Sequence, residues 1–311
     1  MKKYLVTGGM GFIGSSISNS LFNSGNKVSV FDNNFRGSIK RLDKYFDPQN
    51  IYLGDIRNLT QVINSSKNID CLIHAAYING TRFFYEKPDT VLEVAIKGML
   101  NVIEACKINN IRELILISSS EVYQSPKKIP TPENIPLIIP DIKNNRYSYG
   151  GGKIACELMA RHLGRSIFKK MIVIRPHNVY GPDMGNEHVI PEIIYNIIKN
   201  KKKNKIKIQG TGKETRSFIY IKDFISAFNK ILHKGKHMET YNIGTLEEIN
   251  IKFLVKLICN LLDKKIKIVP GKIRSGGTKR RCPDISKIKK LGFKQTVKIN
   301  DGLLKMIDYY S

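Results

Sequence analysis

Residues 5–14 read LVTGGMGFIG, and no other stretch of the chain limits its fold so tightly. An apolar, β-branched run, KYLVT, leads straight into Gly8, Gly11 and Gly14, and a helical pattern follows from Phe12. A strand that turns this sharply into a helix needs glycine for the tight turn, for close approach of backbone to a ligand, and for close packing of helix on strand. The N–H groups that open the helix lack intrahelical partners, so Phe12, Ile13 and Gly14 face a negative group, which the pattern identifies as a pyrophosphate. The next strand, KVSVF, ends in Asp32 with Asn33 behind it, about twenty residues after the glycines. A carboxylate there accepts from both ribose hydroxyls of an adenosine and repels a 2'-phosphate, which favours NAD over NADP; Arg36, close by, weighs the other way.

The rest of residues 1–175 alternates short apolar runs with longer amphipathic segments, among them IYLGD, CLIHAA, a helix over 90–109, ELILISS and KMIVIR. That rhythm predicts an α/β protein with a doubly wound parallel sheet, a Rossmann fold covered by helices on both faces. It breaks after Arg175. Residues 176–311 read as a smaller mixed α/β lobe, with helices over 189–200, 222–233 and 250–262, and with some segments returning to the sheet. Asp55, in GDIRN, ends the third strand beside Ile56 and is placed to accept from an adenine amine. Ala75 and Ala76 are small, as backbone beneath a cofactor requires, and His74 before them reads as a core histidine.

Tyr149 and Lys153 are four apart and share one helix face. An ammonium beside a phenol favours phenolate and brings its pKa down toward a general base's range. Ser119, in LISSSEVYQ at the end of the fifth strand, stands where ligands of such sheets sit.

With these motifs in order, the chain resembles the extended short-chain dehydrogenase/reductases that act on nucleotide sugars: 4-epimerases, 4,6-dehydratases and UDP-glucuronate decarboxylases. The resemblance rests on TGGMGFIG, Asp32, GDIRN, SSSEVY, YGGGK, RPHNVYGP, TRSFIYIKD and RSGGTKRRCPDISK. It implies NAD as cofactor and a nucleotide-diphosphate sugar as substrate. Tyr149 resembles the base that deprotonates the sugar 4-hydroxyl while hydride passes from C4 to NAD, and Lys153 resembles its partner, bonded also to the nicotinamide ribose. Ser119 matches the catalytic serine or threonine. Asn178, His188 and the adjoining Val189 match substrate-lobe positions, and Arg216 and Arg274 match arginines that clamp the diphosphate. Three positions depart from the pattern: Ala95 replaces an asparagine, Gln124 a glycine and Ser148 a proline.

The resemblance implies a 4-epimerase first. Glu121, two residues after Ser119, opens the alternatives, since an extra acid/base suits a 4,6-dehydratase or a UDP-glucuronate decarboxylase; against the former, Ser120 stands where the glucose dehydratases carry aspartate. The family also implies a homodimer, built on the helix over 90–109 and the one after Tyr149.

Fifty-two lysines and arginines against 26 acids give a formal net charge of +26, which raises a different class, a nucleic-acid binder. The lysines are spread along the whole chain, however, and the densest run, KNKKKNKIKI from Lys199, has no aromatics to stack bases. An anionic small substrate accounts for the charge equally well, so no nucleic-acid partner is expected. Nor is a non-catalytic NAD-binding protein, which has no use for Ser119, Tyr149 and Lys153 together. No apolar run is long enough to span a membrane, and the five cysteines, an odd number without CxxC spacing, read as buried thiols. A cytoplasmic enzyme with no metal and no membrane partner is the expectation.

One oddity remains in YSYGGGK. Three glycines where a helix begins are costly unless they fall in its first turn, with Ser148 as N-cap, and leave clearance for sugar or nicotinamide between Tyr149 and Lys153.

Overall fold

The structure, a computed structural model, describes residues 1–199, 205–272 and 275–311. Strand and helix alternate through β1 (Lys3–Thr7), α1 (Phe12–Asn23), β2 (Lys27–Asp32), β3 (Ile51–Leu53), α2 (Leu59–Ser65), β4 (Cys71–His74), α3 (Thr81–Glu86), α4 (Pro88–Ile108), β5 (Glu113–Ile117), α5 (Tyr147–His162) and β6 (Lys170–Pro176). The chain continues through β7 (Val179–Tyr180), α6 (Val189–Lys199), β8 (Lys205–Lys207), β9 (Thr215–Ser217), β10 (Ile219–Tyr220), α7 (Ile221–Lys234) and β11 (Thr240–Ile243). It ends with β12 (Glu248–Asn250), α8 (Ile251–Leu261), β13 (Lys267–Val269), β14 (Arg280–Arg281), α9 (Ser286–Lys290) and α10 (Ile299–Tyr310).

Seven parallel strands form the main sheet in the order β11-β6-β5-β4-β1-β2-β3. The two-residue period of a strand sorts its side chains between two cores. In β1, Tyr4 and Val6 join Ile17 of α1 and Phe224, Phe228 and Ile231 of α7 on one face. Leu5 joins Val62 of α2, Met99 and Val102 of α4, and Cys156 and Ala160 of α5 on the other. Both faces are covered, as a parallel sheet requires, so the doubly wound fold is confirmed.

The segments that return to the sheet are α7 and β11. The spacing of Phe224, Ala227, Phe228 and Ile231 puts one apolar stripe of α7 onto the core, and β11 pairs with β6 from Thr240↔Val173 to Ile243↔Pro176. Residues of α6, α8 and α10, including Ile194, Leu254, Ile258, Leu303 and Met306, build the separate core of the smaller lobe. Strand order reverses between β1 and β4. The loops leaving their carboxyl ends part there, and the crevice between them is where such sheets take ligands. Among the described residues no helix is long and apolar enough to cross a membrane.

Candidate active site

The glycine turn is built as a cradle. Gly8 has φ +68, and a Cβ there would lie 2.7 Å from the Ala76 backbone; one on Gly11 would lie 3.2 Å from the Gly8 carbonyl, and one on Gly14 would collide with it. Gly11 caps α1 with no side-chain hydrogen bond, and no acid stands in the first turn, so the helix presents its opening N–H groups and positive end to the crevice. Asp32 accepts from the amides of Met10 (3.0 Å) and Asn34 (2.9 Å), which fixes its carboxylate at the pocket that Asn33, Ile56, Ala75 and Ala76 also line. This donor set fits a dinucleotide.

The Asp55 carboxylate takes both arms of Arg57, Nε at 2.9 Å and Nη2 at 2.7 Å, and that pairing holds it below the usual carboxylate range. Its chain neighbours Gly54 and Ile56 line the pocket beside Asp32.

Next to this pocket opens a larger cleft of about 1010 Å³ between sheet and lobe. Ser119, Glu121, Tyr149, Lys153, Asn178, His188, Val189 and Arg216 all line it, so residues far apart in sequence meet as the motifs required. Arg274 lies outside the described residues. Ser119 caps the short 3-10 turn Ser120–Tyr123 by accepting from the Glu121 amide at 3.1 Å, and it lines the same cleft as the Tyr149 phenol. Tyr149 is buried, its ring stacked on Phe84 (4.4 Å between centroids) and edge-on to Tyr77 (5.0 Å). Lys153 Nζ donates to the Ile117 carbonyl at 2.8 Å and sits 3.8 Å over the Tyr77 ring, but 6.0 Å from the Tyr149 centroid.

The electrostatics correct one expectation. Burial lifts the Tyr149 phenol well above its ordinary range; the Ser119 hydrogen bond opposes this without reversing it. Burial also brings Lys153 down to about 8. Desolvation disfavours both charged forms, so the lysine's proximity does not by itself produce a low-pKa phenol.

Glu121 sits among arginines. Burial alone would raise its carboxyl, but Arg281 and Arg146 outweigh it and hold the group down to about 2. Arg281 Nη1 donates to it at 2.7 Å and Arg146 Nη2 at 3.3 Å. Arg216 stands beside this cluster, anchored on the carbonyls of Thr215 (2.7 Å) and Thr278 (2.8 Å), and burial lowers it to about 10. Three guanidiniums thus surround one carboxylate. Asn178 donates to the Ser217 carbonyl at 2.8 Å, and burial lowers His188 to about 4, leaving it neutral.

The glycines of α5 do not leave room for a ligand. The helix starts at Tyr147 with no side-chain cap, which puts Gly150, Gly151 and Gly152 at its fourth to sixth residues, and Ser148 lies within the helix rather than capping it. A Cβ on Gly150 would strike the Gln124 amide, one on Gly151 would lie 3.2 Å from Ile139, and one on Gly152 would strike the Tyr77 hydroxyl and lie 2.9 Å from Ala95. The departures at Ala95 and Gln124 are answered by these glycines. Gln124, at φ +50, a backbone region that favours glycine, is held by donating from Nε2 to the Glu121 carbonyl at 2.5 Å over Gly150.

The model of the NAD dependent epimerase/dehydratase family matches residues 4–244. The chain belongs to this family. Its cofactor is NAD. Among curated members, a trifunctional UDP-glucose 4,6-dehydratase/3,5-epimerase/reductase of Arabidopsis thaliana is 31% identical over 100% of this chain and 47% of its own length. The dTDP-D-glucose 4,6-dehydratase of Dictyostelium discoideum is 32% identical over 84% of the chain and 62% of that protein. The chain therefore spans about half to three fifths of these relatives. Among solved structures, the UDP-N-acetylglucosamine 4-epimerase of Methanobrevibacter ruminantium, in complex with UDP-N-acetylmuramic acid, superposes with a TM-score of 0.88 at 26% identity, covering 99% of this chain and 98% of that one. The Thermotoga maritima UDP-glucose 4-epimerase with UDP-glucose gives the same TM-score, 0.88, identity, 26%, and coverage, 99% and 98%.

Within this family member, Tyr77, Arg146 and Arg281 escape a reading of sequence. Tyr77 signals itself only as an aromatic after HAA, and Arg281 is one of many basic residues in RSGGTKRRCPDISK. Arg146 directly precedes α5, the helix that carries Tyr149 and Lys153, and that position is its one available signal.

Proposed function

We propose that the chain is a nucleotide-sugar 4-epimerase acting by transient oxidation at sugar C4, with Ser119, Tyr149 and Lys153 as its catalytic residues. NAD supplies the acceptor for the C4 hydrogen and gives it back. The Ser119 and Tyr149 hydroxyls, lining one cleft, orient the sugar 4-hydroxyl and take its proton, and the Lys153 ammonium over Tyr77 balances the charge that develops on the phenol. Asn178, His188 and Val189 line the sugar side, and Arg216 serves the diphosphate with Arg274.

The observation that carries the reading is the state of Glu121. Epimerisation needs no acid or base beyond Ser119 and Tyr149, whereas dehydration needs one to strip the C5 proton and expel the C6 hydroxyl. Glu121 is instead engaged by Arg281 at 2.7 Å and Arg146 at 3.3 Å, and the neighbouring position is the buried hydroxyl of Ser120. The two solved 4-epimerases support the same reading. A second reading has its own observation: among the described residues Arg146 Nε and Arg281 Nε are buried without a hydrogen-bond partner, which suits a sugar bearing a carboxylate and thus the decarboxylation of a uronate.

Incubation with UDP-, dTDP-, GDP- and CDP-sugars, uronates included, followed by mass analysis and NMR of the product, decides between them. A product of unchanged mass with inverted C4 supports epimerisation. Loss of water or of carbon dioxide overturns it in favour of a lyase. Tyr149→Phe removes the proton acceptor and cuts whichever rate is found by roughly a hundredfold or more.

The same proposal includes a cytoplasmic homodimer. Leu92 and Leu100 of α4 and Leu158 of α5 are exposed on the packed helix pair, which supports the dimer, and the five free, buried cysteines suit a reducing compartment.

A further inference from the structure

The segment that follows Asp32 carries two arginines, and both are tied to one loop of the smaller lobe. Arg41 grips Asp183 with Nε at 2.6 Å and Nη2 at 2.9 Å, and its Nη1 donates to the Arg36 carbonyl at 2.7 Å, bracing the backbone there. Arg36 in turn donates from Nη2 to Glu187 at 2.8 Å and from Nη1 to the Asn79 carbonyl, with its guanidinium 5.9 Å over Phe83. The loop is shaped for it. Gly185 has φ +86, and a Cβ there would lie 2.8 Å from Arg36 Nη2.

Among the described residues that line the pocket holding Asp32, Arg36 is the only cation. A 2'-phosphate on the adenosine ribose is a dianion that a free guanidinium in this place accepts as a bidentate partner. Glu187 claims that guanidinium first. We propose that Glu187 is a cofactor-specificity residue: by holding Arg36 across the cleft it withholds the cation an NADP molecule would need, and so reinforces the repulsion supplied by Asp32. Selectivity for NAD then rests on two carboxylates, one on the sheet and one on the opposite lobe, the second acting through Arg36.

Direct titration of the full chain with NAD and with NADP, by calorimetry, reads this without turnover. Glu187→Gln keeps the side chain's size and removes its charge. It is expected to tighten NADP roughly fivefold, the scale of a half-exposed ion pair, while NAD stays within about twofold. In Arg36→Ala/Glu187→Gln the gain disappears, because Arg36 is its agent. Thermal melts of both variants within a few degrees of the parent confirm folding, and Glu187→Ala gives the same direction by a second route. Unchanged NADP affinity in both single variants, or a gain that survives removal of Arg36, overturns the proposal.

Discussion

Lys153 carries its charge at a cost. The ammonium is buried, and its only hydrogen-bond acceptor among the described residues is the Ile117 carbonyl. A folded pKa of about 8, against an unfolded value near 10.4, means that below pH 8 both states are protonated and the folded one bears the desolvation. Between 8 and the unfolded value the unfolded chain binds more protons, so this residue makes stability rise with pH. Lys153→Met is therefore expected to gain on the order of 2 kcal/mol at pH 7, with turnover abolished. Urea denaturation at pH 7 and pH 10 checks it: the gap between variant and parent should shrink at the higher pH, and a constant gap refutes the assignment. The spacing of Tyr149 and Lys153 was legible in the sequence because helix geometry alone puts them on one face. Their electrostatics were not, since burial is decided by Tyr77 and Phe84 from a distant segment.

At the scale of elements, the start of α5 is fitted to its neighbours residue by residue. A methyl on Gly152 meets Tyr77 and Ala95, both fixed by the α4 side of the sheet, whereas one on Gly151 meets only the end of Ile139. Gly152→Ala should lose about 1–3 kcal/mol through overpacking, while Gly151→Ala should hold or gain up to about 1 kcal/mol from helix propensity. Equilibrium denaturation of the two variants reads the contrast, and adding Tyr77→Phe to Gly152→Ala should recover part of the loss. Equal effects at the two positions would reject it. Here sequence reading saw the glycines and assigned them to the wrong neighbour. Local propensity says that a side chain is missing; only the tertiary fold says what stands in its place. The N-terminal glycines were read rightly because Gly8, Gly11 and Gly14 serve a turn whose strand and helix are both adjacent in sequence.

The whole molecule is joined behind Ser119, Tyr149 and Lys153 by a buried polar network. Glu157 of α5 accepts from Arg175 of β6 at 2.9 and 2.5 Å and from Ser118 at 2.5 Å; Arg175 reaches the Tyr123 hydroxyl at 2.7 Å, and that hydroxyl donates to Asn242 of β11 at 2.8 Å. The helix, the neighbouring strands β6 and β11, the residue just past β5 and the Ser120–Tyr123 turn share it. Glu157→Gln leaves Arg175 buried without its counter-ion and should cost about 3–5 kcal/mol, seen as a lowered denaturation midpoint; a loss within 1 kcal/mol would show the network to be dispensable. The network could not be read from the chain, because Ser118 and Tyr123 of SSSEVY, Arg175 of RPHNVYGP, Glu157 and Asn242 come from segments far apart, and nothing in their spacing says that they meet.

The excursion of the chain also shapes how the molecule can move. It leaves the sheet after β6, builds α6, returns as α7 and β11, leaves again for α8, and lays α9 against the sheet before α10 closes the lobe. Neither half of the cleft is a continuous length of polypeptide. A protease nick in any single connecting loop would leave both halves attached, and no truncation at one point would release an intact half. Any movement of one half against the other must therefore flex several connecting lengths of backbone at once, not a single linker.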